Sequence, residues 1–146
     1  MSIQKPKMIL FDYGHTLLYE IGHNAEKGNK AIYQYIKSNP KNISFQEFNK
    51  IVNSTFKKIN ECGNGIDICE KNFLRLVYGY MNIELSVSLE EAESIIWNGV
   101  SECDIMPNAN KILDYLNKND IRSGVISNMC WSGKSLKDRL NRLLPN

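Results

Sequence analysis

The feature that most constrains this chain is the apolar run Met8, Ile9, Leu10, Phe11, followed at once by Asp12, Tyr13, Gly14, His15, Thr16 and Leu17. The run reads as a buried strand that ends by holding one carboxylate over a tight turn. In open α/β sheets, ligands sit beyond the carboxyl ends of the strands, where loops and helix N-termini supply backbone N–H groups. Asp12 falls in that crevice, and Gly14, lacking a Cβ, can take a positive φ and let the backbone come close to a ligand or metal. Asp and Gly are also ordinary turn residues, so a second segment has to decide.

That segment is 105–128. Pro107 and Asn108 mark a helix start, with Asn108 as N-cap, and Ala109, Ile112, Leu113 and Leu116 recur at i, i+3, i+4 and i+7 to give one apolar face. Asn117, Lys118, Asn119 and Asp120 break the helix. Ile121 to Ile126 then forms a second buried strand, again ending in polar groups, Ser127 and Asn128.

With both segments in view, the chain resembles the N-terminal part of a haloacid-dehalogenase-like (HAD) hydrolase. Phe11 to Leu17 resembles that family's first motif, in which a nucleophilic Asp is followed two residues later by a second Asp and then by Thr. Val125, Ile126, Ser127 and Asn128 resemble its second motif, a strand ending in a hydroxyl that binds the phosphoryl oxygens. The fold so implied is α/β, an incomplete Rossmann-like core with parallel strands in 1–20 and 104–146, carrying an inserted α-helical cap in 21–103. The resemblance makes Asp12 the carboxylate that attacks phosphorus and forms an aspartyl-phosphate. It makes Asp12 and the Gly14 carbonyl ligands of Mg²⁺, a hard cation suited to oxygen donors, with further acidic ligands from later in the chain. Ser127 and the backbone around Asn128 would bind the transferring oxygens of a small phosphomonoester, since phosphoryl transfer depends on positioning and electrostatic stabilisation.

Two departures from the family pattern bear on activity. Gly14 stands where the family's phosphatases usually carry the second Asp, whose acid–base help is typically worth ~10² to 10⁴-fold in rate. His15, the nearest alternative acid or base, lies one position further on and is expected to point elsewhere. The second departure is length. The family's Lys and distal acidic pair normally lie well downstream, whereas only Met129 to Asn146 follow Asn128. Ser135, Leu136, Leu140, Leu143 and Leu144 form one amphipathic helix capped by Ser135. Lys134 and Lys137 are expected on its solvated face with Arg139 and Arg142, and neither replaces the missing Lys. Two parallel strands leave sheet edges unpaired. The chain is therefore expected to be a truncated product, a fragment of a longer enzyme, or a protomer that self-associates to complete its sheet.

The intervening 21–103 carries four helical patterns that make a small bundle. One runs from about 25 to 38, with Ile32, Tyr35 and Ile36. A second follows the capping-box spacing of Ser44 and Glu47, with Phe45, Phe48, Val52, Phe56 and Ile59 along one stripe. Cys62, Gly63, Asn64 and Gly65 make a turn before a third, which carries Phe73, Leu76, Val77 and Tyr80. The fourth opens at a second capping box, Ser88 to Glu91, with Ala92, Ile95, Ile96, Gly99 and Val100 along one side and Trp97 as packed core.

A net charge of +2 gives no basic field of the kind that marks nucleic-acid binding. Cys62, Cys69, Cys103 and Cys130 lack the CxxC spacing of zinc or redox sites and are expected to be reduced thiols. No signal peptide or membrane span is evident, so the expected compartment is the cytoplasm. Three functions are compatible with these residues. A Mg²⁺-dependent phosphatase ranks first, followed by a noncatalytic remnant or interaction protein and then by a metal-independent dehalogenase using Asp12 on carbon.

Overall fold

Capping side chains set several helix starts in the computed structural model, which describes residues 5–63 and 68–144. Its elements are β1 (Met8–Phe11), β2 (Leu18–Ile21), α1 (Ala25–Tyr33), β3 (Ile36–Ser38), α2 (Phe45–Cys62), α3 (Glu70–Met81), β4 (Glu84–Leu85), α4 (Leu89–Val100), β5 (Glu102–Ile105), α5 (Ala109–Lys118), β6 (Arg122–Val125) and α6 (Gly133–Leu143). Ser88 opens α4 with the full reciprocal capping box to Glu91, and the Ser44 hydroxyl accepts the Glu47 N–H at the start of α2. The chain is thus mixed α/β, and it divides into two compact units. Among the described residues no helix is long and apolar enough to cross a membrane.

The helical unit comprises 22–102 and 129–137. Its core gathers Ile32, Phe48, Leu74, Val77, Met81 and Ile96, all buried. Phe48 stacks near Tyr78 and meets Tyr33 edge-on, the geometries that aromatic quadrupoles favour. Trp97 is core as expected, buried and stacked on Trp131 at 5.1 Å. Helices α1 and α4 come together at glycines: a Cβ on Gly99 would lie 2.9 Å from the Gly28 Cα. The expected helix over 25–38 ends early, at Tyr33, and Ile36–Ser38 instead pairs antiparallel with Glu84–Leu85. Strands of two and three residues carry too little alternation to be read from sequence. The expected turn at Cys62 to Gly65 lies partly outside the described residues, which stop at Gly63 and resume at Ile68.

The other unit holds the described residues of 1–21, 103–128 and 138–146. Strands β1 and β6 pair in parallel, with Met8 opposite Arg122 and Phe11 opposite Val125, and β2 pairs with β5. The strands are less buried than expected: Met8 is 43% and Leu10 55% exposed. Side chains alternate along a strand, so a pair covered on one face shelters Ile9 and Phe11 and leaves the other two out. Strand β6 is also shorter than expected, ending at Val125, with Ile126 exposed. The apolar face of α5 supplies buried Ala109, Leu113 and Leu116, whereas Ile112, expected on the same face, is 41% exposed.

Two expected caps are corrected. Asn108 sits at φ 68° and its side chain makes no capping bond; it serves as a left-handed turn residue, a conformation Asn tolerates. Ser135 lies inside the first turn of α6, and Ser132 caps it, its hydroxyl accepting the Ser135 N–H. The buried Glu93 carboxylate completes that helix start by accepting the Ser132 N–H and the Ser135 hydroxyl, each at 2.7 Å.

Candidate active site

Strands β1 and β6 run in parallel, so their carboxyl ends face the same way, and the bond from the Ile126 N–H to the Phe11 carbonyl, 2.9 Å, extends the pairing one step past β6. The next residues on the two chains are Asp12 and Ser127. One carboxylate-bearing and one hydroxyl-bearing residue thus follow neighbouring strand ends, a pairing that the sequence reading did not specify. Asp12 is exposed, Ser127 half-buried and Asn128 exposed.

The turn after Asp12 is organised by the Tyr13 backbone. Its N–H donates to Asp12 Oδ1 at 2.8 Å, and its carbonyl accepts from Leu17 at 3.1 Å and Leu18 at 3.2 Å, with Thr16 at 3.4 Å. The His15 N–H donates to the Leu18 carbonyl at 2.8 Å. These closing bonds use the carbonyls of Tyr13 and Leu18, not that of Gly14. The left-handed residue in this turn is His15, φ 55°, and not Gly14, which corrects the role expected of the glycine. A Cβ at Gly14 would meet nothing within 4 Å, so the position is open.

Beneath the turn lies a network that the sequence reading missed. The Tyr13 ring is buried, and its hydroxyl donates to Glu20 Oε1 at 2.6 Å. Arg139 on α6 donates from Nη2 to Glu20 Oε2 at 2.9 Å. Burial first, and then the bond to Glu20, push the Tyr13 phenol well above its usual range, so it stays a donor across neutral pH. Arg139 was expected on the solvated face of α6; it is only 2% exposed. The signal was present, because Arg139 falls three residues after Leu136 and four before Leu143, on the apolar stripe itself. Lys134 and Lys137, by contrast, are exposed as expected.

A divalent metal can be weighed against these donors. Asp12 and the Gly14 carbonyl are hard oxygens, and Mg²⁺ is commonly held by one or two carboxylates with waters and substrate phosphate completing its shell. That chemistry fits a two-donor protein contribution. The further acidic ligands expected from later in the chain are not gathered here: no group of three His, Cys, Asp or Glu able to hold a metal occurs among the described residues. No protein-family model matches the chain, and no curated protein matches it significantly.

Proposed function

We propose that the chain is a HAD-like hydrolase with an incomplete Rossmann-like core, a Mg²⁺-dependent phosphatase of the cytoplasm acting on a small phosphomonoester. The observation that carries this reading is the shared strand end of Asp12 and Ser127, tied by the bond between Ile126 and Phe11 at 2.9 Å.

In this mechanism an Asp12 carboxylate oxygen attacks phosphorus, an oxygen–phosphorus bond forms, and the ester oxygen leaves with its electron pair. Water then attacks the aspartyl-phosphate, releasing inorganic phosphate and restoring the carboxylate. Ser127 and the Asn128 backbone donate to the phosphoryl oxygens as charge spreads over them. Asp12 and the Gly14 carbonyl would hold Mg²⁺, which would neutralise the phosphate charge. Exposure of Asp12 keeps it reachable by substrate, and the Tyr13 N–H donating to Oδ1 fixes one carboxylate oxygen.

Gly14 offers no side chain to protonate the leaving oxygen, so esters with good leaving groups should react best. The same glycine favours a second reading, a noncatalytic remnant or interaction protein that keeps the binding loop. Turnover of p-nitrophenyl phosphate with and without Mg²⁺, by the wild-type chain and Asp12→Asn, separates the two. Turnover that needs Mg²⁺ and Asp12 supports the phosphatase, and none from a folded sample supports the second reading.

A further inference from the structure

We infer that Glu20 and Arg139 are positioning residues for Asp12, acting through the buried side chain of Tyr13 to hold the 12–18 turn in one conformation. The inference rests on Asp12 being the nucleophile.

Three observations carry it. Tyr13 is the hub of the turn, since its N–H reaches the Asp12 carboxylate and its carbonyl collects the amides of Leu17 and Leu18. Its ring is buried at 4% exposure, and the hydroxyl is held by Glu20 at 2.6 Å. Glu20 is in turn fixed through its other oxygen by the Arg139 guanidinium at 2.9 Å. Each oxygen of one carboxylate thus has a separate task, and the line from α6 to the nucleophile is continuous through Arg139, Glu20, Tyr13 and Asp12.

Stability alone gives little reason for this arrangement, because burying the Arg139 charge costs desolvation that one partly exposed partner, Glu20, repays only in part. It does supply direction. A phenol bonded to a fixed acceptor sets the ring, the ring sets the Tyr13 backbone, and that backbone aims the carboxylate. The turn needs such support, since His15 occupies the left-handed region, which a non-glycine residue holds only when its surroundings determine it. A displacement of the attacking group by roughly 1 Å can cost on the order of 10²-fold in rate, so a partly loosened turn should show first in kcat.

The experiment uses the full chain. Tyr13→Phe removes only the hydroxyl and leaves Glu20 and Arg139 paired, whereas Glu20→Gln also weakens the compensation of a buried charge and can fail to fold. For Tyr13→Phe, amide hydrogen exchange at Leu17 and Leu18 is followed by NMR, with kcat and KM for p-nitrophenyl phosphate. Exchange faster by about tenfold at both amides, while α5 amides keep their protection, is the expected result. A fall in kcat of about tenfold at unchanged KM accompanies it. Unchanged exchange, or a loss carried wholly by KM, overturns the assignment. A folded wild-type chain with no turnover counts against Asp12 as nucleophile, and the exchange result alone then decides whether the network holds the turn.

Discussion

The Ile126 N–H donates to the Phe11 carbonyl at 2.9 Å, one step beyond the end of β6, and this bond sets Asp12 and Ser127 leaving the sheet side by side. Ser127→Ala is expected to keep the fold, because Ser127 is half-buried and is not among the described core residues. Loss of one donor to a phosphoryl group costs on the order of 10² in kcat. Steady-state kinetics checks it, and an unchanged kcat would remove Ser127 from the site.

Gly14→Asp is expected to raise turnover. A Cβ at this position meets nothing within 4 Å and the backbone lies outside the left-handed region, so a side chain can be added without backbone strain. If it acts as general acid, the gain is about 10²-fold or more for esters with poor leaving groups and smaller for p-nitrophenyl phosphate. Comparing an alkyl and an aryl phosphate reads this directly; equal gains on both would argue against acid catalysis.

Glu70 makes stability depend on pH. Burial first, and then the charge of Glu93, push its carboxyl from an ordinary 4.5 up to about 7. Between those values the folded chain keeps a proton that the unfolded chain has released, so stability falls as pH rises through the window, by roughly 3 kcal/mol in all. Urea midpoints measured from pH 4.5 to 8 should decline and then level off, and Glu70→Gln should flatten that decline.

Gly99→Ala sets two effects against each other. Alanine is the better helix former by about 1 kcal/mol. Its Cβ would nevertheless stand 2.9 Å from the Gly28 Cα and 3.1 Å from the Lys27 carbonyl oxygen, backbone atoms that cannot rotate away. Overpacking of this kind costs about 1 to 3 kcal/mol, so a lower Tm is expected. An unchanged or raised Tm would mean that α1 and α4 separate without penalty.

What was legible in the sequence was what repeats. The stripes of α2, α4 and α5 and the Ser88 box named their elements, because helical period and capping are local. The strand pairs β2 with β5 and β3 with β4 were not legible, since two to four residues carry little period and their partners lie far along the chain. At the site, Asp12 and Ser127 stood out as polar residues ending apolar runs. Tyr13, Glu20 and Arg139 did not, because their link joins positions 119 residues apart. Arg139 on an apolar stripe was the one clue. The four apolar letters of β1 specify a strand but not how many of its faces are covered, and Met8 and Leu10 are exposed.

Asp12 as nucleophile is tested most directly by the rate of p-nitrophenyl phosphate hydrolysis, with and without Mg²⁺, in the wild-type chain and in Asp12→Asn, each shown folded by circular dichroism. Mg²⁺-dependent hydrolysis in the wild type that falls by at least about 10³-fold in the variant is the expected result, since the amide keeps the shape and removes the attacking charge. Hydrolysis that survives unchanged in Asp12→Asn would contradict it.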